Sequence, residues 1–376
     1  MKKSFFLNLL LFMLSLSVNG QSVIKKEKQL STEIDNYIKV EMEKRQIPGL
    51  VYGICEDENL IEVASYGYAD LQNLGPVQNN TVFELASITK QFTAGAIMLL
   101  VQDGNLRLTD PINLYIENCP AAWNEITIKH LLTHTSGLPA MGKGNTGALS
   151  LSPMEYIQTI STQNITKQVA YEVVKTDTLD FQPGDRFSYS DTGYFLLGFI
   201  IDNISGSYRE FIQNRIFDPV GMKSSYILDR ISVNKFEARG YTLRNGEIVN
   251  IQRSQDHEIP SHFGIFSNIE DLQKWDNVLN SNTLFTNESK ILMWKDTKLN
   301  DGSFTGYGFG WKVKELNKKL IVRHQGVTGT EIIKFIDDKF TVIVLTNLGN
   351  GRFDRVNSWG LAQGIAEILE HDIKDD

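Results

Sequence analysis

A serine and a lysine stand three positions apart in FELASITKQFTAGAIMLL, residues 83–100, where an apolar run begins. That spacing is close to one helical turn, so Ser87 and Lys90 share a face if a helix starts at or just after the serine. A helix N-terminus also offers free backbone N–H groups and a partial positive charge to an oxygen on which negative charge develops. A serine hydroxyl is a poor nucleophile until a neighbouring base takes its proton. Lysine serves as that base only when burial or nearby positive charge lowers its pKa. The competing assignment is an N-cap serine beside a solvated lysine, and an isolated S-x-x-K is too common to decide between them.

Two further elements bear on the choice. FQPGDRFSYSDTGYFLLGFII places Tyr189 and Asp191 in a Y-x-D triplet on a turn, directly before a strongly apolar run, and RHQGVTG places His324 and Gly326 between two expected strands. In this order the three elements resemble the serine β-lactamase and penicillin-binding-protein superfamily, nearest its class C, DD-peptidase and esterase branch. The motifs of that superfamily are S-x-x-K, Y-x-N and K/H-x-G. The likeness extends over nearly the whole chain past the leader, through PGLVYGICEDENLIEVASYGYAD, IKHLLTHTSGLP, FGIFSNIEDLQKW and GYGFGW. It implies a β-lactamase/transpeptidase-like α+β fold and an acyl-enzyme mechanism. Ser87 would be the nucleophile, Lys90 would help deprotonate it, and Tyr189 would be general base or proton shuttle. His324 would hold the cationic third-motif position beside the substrate. The backbone N–H groups of Ser87 and Val327 would bind the oxyanion, and Gly326 would keep the strand edge clear for the substrate.

Two positions depart from the pattern. Asp191 stands where the superfamily has Asn; a carboxylate cannot donate an amide hydrogen bond to a substrate carbonyl, and its charge favours a protonated Lys90. Tyr189 then becomes the stronger candidate for proton acceptor, while Asp191 could equally cap the helix that follows. His324 replaces a permanently charged lysine with a side chain mostly neutral at pH 7, which weakens dependence on an anionic substrate terminus.

The elements that must position these residues are legible in outline. Leu30, Ile34, Tyr37, Ile38 and Met42 recur at amphipathic helical spacing over 29–45, ended by Pro48-Gly49. Strands are expected at 50–55 and 60–66, joined by the polar turn 56–59. Helices are expected at 88–103, 125–133, 153–161, 192–204 and 208–216. Antiparallel strands follow at 308–313, 319–323, 330–335 and 340–346, with a closing helix over about 356–369. The order suits an antiparallel sheet flanked by helices. One α+β lobe would come from both chain ends, about 21–86 and 255–376, with a mainly helical lobe, about 87–254, inserted between them.

Composition narrows the setting. Lys2 and Lys3, the apolar run 5–18 and the small residues before Gln21 read as an export leader of about twenty residues, too short for a membrane span. The expected location is periplasmic or secreted, with no stable membrane span. The formal charge of −8, about −10 without the leader, disfavours a nucleic-acid partner. Cys55 and Cys119 make no disulfide framework, and their pairing stays open. His130 and His134 in HLLTH lack the acid of a zinc helix, and GLPAMGKG lacks the hydroxyl residue of a P-loop, so no metal or cofactor is assigned. The expectation is an exported serine hydrolase acting on a small-molecule or peptide substrate. In order, the candidates are D-amino-acid peptides of cell-wall type, small esters and β-lactams. The alternative is a penicillin-binding or sensor-like protein that acylates without turnover.

Overall fold

The computed structural model describes residues 28–141, 166–228, 236–251, 260–316, 318–349 and 360–369. The leader, the helix expected at 153–161, the residues His257 and Glu258, and the start of the closing helix lie outside the described residues. The chain divides into two compact units, one of residues 47–362 and one of 1–46 with 363–376. In the smaller unit helix α1 spans 28–45, and a Cβ added at Gly364 would lie 2.1 Å from the Tyr37 hydroxyl.

The larger unit opens with the hairpin β1 (Gly49–Glu56) and β2 (Asn59–Asp70), followed by β3 (Gly75–Pro76) and β4 (Phe83–Glu84). Helix α2 (Thr89–Gln102) comes next, then α3 (Ile128–Leu132), α4 (Lys167–Val174), α5 (Asp191–Ser205) and α6 (Tyr208–Ile212), the last running into a π-turn at Gln213–Phe217. Strands β5 (Tyr226–Ile227), β6 (Tyr241–Arg244), β7 (Glu247–Asn250) and β8 (Ile265–Ser267) precede α7 (Ile269–Asn280) and α8 (Asn287–Met293). The meander β9 (Lys312–Leu316), β10 (Lys319–Gln325), β11 (Glu331–Phe335) and β12 (Phe340–Thr346) is followed by α9 (Leu361–Ile368). The seven-stranded sheet has the order β3-β2-β1-β12-β11-β10-β9, and all its pairings are antiparallel. This is the expected α+β arrangement.

Strands β1 and β12 are buried along almost their whole length, consistent with their unbroken Val, Ile, Leu and Tyr character rather than a polar alternation. On one face α7 comes close enough that a Cβ at Gly53 would sit 2.6 Å from the Ile269 side chain. Helix α2 is buried from Thr89 to Leu100 on every side, so its apolar residues surround it instead of forming a stripe. Phe92 stacks on Trp275 of α7 with centroids 4.3 Å apart, tying the helix that follows Ser87 to the helix on the sheet. Fully burying a side chain such as Phe92 or Ile97 contributes about 1.5–3 kcal/mol, which makes α2 a rigid support.

One expectation needed correction, and several elements were not foreseen. Residues 308–311 form a tight turn rather than a strand: Gly308 N donates to Trp311 O at 2.8 Å and Gly310 has φ +78°, so β9 begins only at Lys312. Helices α4, α7 and α8 and the hairpin β6–β7 were not anticipated, although Asn268 and Thr286 are good caps, each accepting from the N–H three residues on. Cys55 and Cys119 are both free thiols, the first buried.

Candidate active site

Ser87 lies in a single 3-10 turn, Ala86–Ile88, between β4 and α2, with no capping hydrogen bond from its side chain. The turn is held from two sides. From β8, Ile265 O accepts the Leu85 N–H at 2.9 Å, and Ile265 N donates to Thr89 Oγ1 at 3.0 Å. From the β10–β11 turn, Thr328 Oγ1 donates to Glu84 O at 2.7 Å and Thr330 Oγ1 to Leu85 O at 3.0 Å. Ala86 is driven to φ +47°, a conformation costly for a residue with a Cβ, immediately before the serine. The same closeness explains Gly326. A Cβ there would meet Leu85 O at 2.3 Å and Thr330 Oγ1 at 2.2 Å, so the glycine is required by the turn that carries Ser87. Among the described residues, the backbone N–H groups of Ser87 and Val327 donate to no acceptor.

Lys90, one turn into the helical segment, is fully buried. Its Nζ donates to Asp191 Oδ1 at 2.7 Å, to His262 O at 2.9 Å and to Ser87 Oγ at 3.2 Å. It also lies 5.0 Å from the centroid of the Tyr189 ring. Burial alone would lower its pKa, but the charge of Asp191 more than offsets this and raises it. Lys90 is therefore an ammonium. Asp191 opens α5, yet its carboxylate turns to Lys90 instead of capping that helix. Burial pushes the Asp191 carboxyl up, and the Lys90 ammonium with His262 more than reverses this, to about 2.

Tyr189 sits at the open edge, 38% exposed, with its ring alongside Lys90 and Tyr307. Burial of the Tyr189 hydroxyl raises its pKa and the Lys90 charge offsets only part of the effect, so the resting group is a phenol. Ser87, Lys90, Tyr189 and Asp191, drawn from two segments about a hundred residues apart, thus meet around the Lys90 ammonium.

His324 is brought to the candidate site, its ring centroid 6.2 Å from that of Tyr189. It is 2% exposed, and its Nε2 meets Tyr307 Oη at 2.9 Å. Burial, then the charges of Lys90 and Lys312, hold its pKa well below the ordinary histidine value, so it is a neutral member of an aromatic wall. That wall comprises Phe187, Tyr189, Tyr194, Tyr307 and the rings of His134 and His324. Tyr307 comes from GYGFGW, where Gly310 also packs against Lys90: a Cβ there would be 2.8 Å from Lys90 O. His130, by contrast, closes a capping box with Thr127 at the start of α3. No residue pattern marks the His262 carbonyl, because any residue type supplies one. The part played by Tyr307 was equally hidden, although its glycine-rich surroundings marked a close backbone approach.

Residues 34–366 match the family model described as Beta-lactamase. A penicillin-binding protein of Bacillus subtilis is 30% identical over 81% of this chain and 69% of its own length. A Staphylococcus aureus relative, Protein flp, is 27% identical, and the chain spans 63% of its length. Among solved structures, the octameric penicillin-binding protein homologue from Pyrococcus abyssi is 28% identical with a TM-score of 0.78, over 91% of this chain and 78% of that one. The D-amino acid amidase from Ochrobactrum anthropi SV3 complexed with L-phenylalanine amide is 25% identical with a TM-score of 0.73, over 90% of this chain and 98% of that one.

Proposed function

We infer the chemistry of this chain from one premise, that it belongs to the Beta-lactamase family. It is a serine hydrolase of the β-lactamase-related type, working through an acyl-enzyme on Ser87. The observation that carries this reading is the contact of Lys90 Nζ with Ser87 Oγ at 3.2 Å, with the Tyr189 ring centroid 5.0 Å from the same Nζ.

With Lys90 an ammonium and Tyr189 a phenol, neither is a ready base, so the proton moves by exchange. As Ser87 Oγ attacks the acyl carbon, the Tyr189 phenol gives its proton to the departing oxygen or nitrogen and takes the Ser87 proton in its place, so that it ends as the phenol it began as. Lys90 stays charged throughout and stabilises the phenolate character that develops between the two transfers. The Ser87 and Val327 N–H groups receive the oxyanion; removing one such donor typically costs about 2.7–4 kcal/mol of transition-state stabilisation. Hydrolysis runs the same exchange with water in place of the leaving group.

The substrates proposed are D-amino-acid peptides of cell-wall type first, then small esters, then β-lactams. The similarity to an enzyme acting on an amino acid amide supports the first of these. Export follows from the leader-like residues 1–20 and is proposed with a mature N-terminus near Gln21, to be read by mass spectrometry. No helix among the described residues is long and apolar enough to cross a membrane. A second reading, acylation without turnover, draws on the Lys90–Asp191 pair, which leaves no free base for deacylation.

One experiment separates the readings. The mature protein is tested against p-nitrophenyl esters, D-Ala-D-Ala peptides and nitrocefin, and labelled with a fluorophosphonate and a fluorescent penicillin. Turnover that disappears in Ser87→Ala supports the hydrolase. Stable Ser87-dependent labelling without turnover supports the second reading, and indifference of Ser87→Ala to every probe overturns both.

A further inference from the structure

We propose that His134 is a positioning residue that holds Tyr189 against Ser87, gripping the tyrosine's segment by its backbone on either side; the proposal rests on the reading of Ser87, Lys90 and Tyr189 given above. His134 follows α3 after one residue and lies at φ +56°, where a residue with a Cβ is uncommon. That conformation turns its carbonyl and its ring toward the same stretch of chain. His134 O accepts the Ser188 N–H at 2.9 Å, and His134 Nδ1 accepts the Ser190 N–H at 3.2 Å. The two bonds bracket Tyr189. Successive N–H groups two residues apart leave an extended strand on the same edge, and Ser190 is extended (φ −141°, ψ 126°), so the clamp fixes the strip while the tyrosine side chain projects from it.

The ring supports the side chain as well. Its centroid is 4.3 Å from that of Tyr189, 4.8 Å from Tyr307 and 5.2 Å from Tyr194, and the residue is 2% exposed. An imidazolium could not accept at Nδ1, so the clamp needs the neutral ring with its proton on Nε2. Burial and the neighbouring Lys90 charge provide this, bringing the His134 pKa down to about 3. Among the described residues Nε2 has no hydrogen-bond partner, so every polar contact the ring makes goes to the Tyr189 segment.

Packing alone would make any residue of similar bulk acceptable here; a clamp requires an acceptor at the Nδ1 position. Asn supplies one at nearly the same reach and tolerates positive φ. Gln sets its amide one carbon further out, and Leu has none. The rate constant of Ser87 labelling by a fluorophosphonate, resolved into its maximal value and half-saturating concentration, is compared for wild type, H134N, H134Q and H134L, with thermal unfolding of each. The expected result is a maximal rate lowered about 10- to 100-fold in H134L and H134Q, half-saturation within about threefold of wild type, and H134N restored to within about fivefold. If H134L fails to fold, the H134Q to H134N ratio carries the same decision. Equal rates for H134Q and wild type, or for H134N and H134Q, overturn the clamp while leaving the Ser87 reading intact. A wild type that labels no faster than Ser87→Ala overturns that reading and this inference with it.

Discussion

Lys90 and Lys334 are both withdrawn from solvent, at 0% and 1% exposure, and each meets an aspartate, Asp191 at 2.7 Å and Asp276 at 2.8 Å. Each also lies near a hydroxyl, Ser87 Oγ at 3.2 Å and Thr341 Oγ1 at 3.3 Å. The pairs diverge in what surrounds them. Asp276, on α7, is 4% exposed, and Thr341, directly across from Lys334 on β12, donates its hydroxyl to the same carboxylate at 2.7 Å. Every polar atom there is committed to another, and the triad is a sealed fastening between helix and sheet. Asp191 is a third exposed and Ser87 is partly exposed, its hydroxyl accepting from Lys90 at 3.2 Å. Burial of a charge pair therefore does not mark a reactive centre. An accessible hydroxyl with proton-exchanging neighbours does.

The comparison can be broken at four points, in falling order of effect. Lys90→Met should slow acylation of Ser87 about 10²- to 10⁴-fold while the protein still unfolds cooperatively, read by labelling kinetics beside thermal melts. A near-normal rate would make Lys90 no more than a fastening. Lys334→Met should do the opposite: about 3–5 kcal/mol of stability lost in urea titration, because Asp276 is left buried and unpaired, with turnover per folded molecule unchanged. Activity lost from folded Lys334→Met would erase the distinction drawn here. Replacing both partners, K334M with D276L, should recover most of that stability, since a sealed pair is replaceable by apolar packing.

The smallest effect concerns Asp191→Asn, which should leave hydrolysis present or raise it on amide substrates; complete loss would make the carboxylate itself catalytic. The same variant changes acid stability. The Asp191 pKa in the folded chain lies below that of an unfolded aspartate, so its contribution is complete above about pH 4 and fades as the pH falls toward about 2. Asp191→Asn should flatten the stability profile across that window in urea titrations from pH 2 to 6. An unchanged profile would mean that the pair adds nothing to folding.

How much of this could be read from residue types varies by element. The hairpin 49–70, helix α2 and the strands 319–346 were legible because long apolar runs with definite periods bury one way only. The turn at 308–311 was not, because its aromatics alternate as a strand's do while Met293 O, 2.2 Å from a Cβ at Gly308, forbids continuation. His134 looked like half of a failed zinc motif, and its clamp depends on a backbone conformation that has no residue signature outside glycine and asparagine.

For the proposed reactive group, residue types and their likeness to the superfamily motifs named the candidate members: a serine and a lysine one turn apart, and a tyrosine with an acid two residues on. They could do so because side-chain chemistry is local to each residue. Only the tertiary structure decided their charge states and mutual reach, that Lys90 is an ammonium, Tyr189 a phenol and His324 neutral behind Tyr307. Those properties follow from burial and from contacts between segments far apart in the chain, which exist only once the sheet and helices have packed.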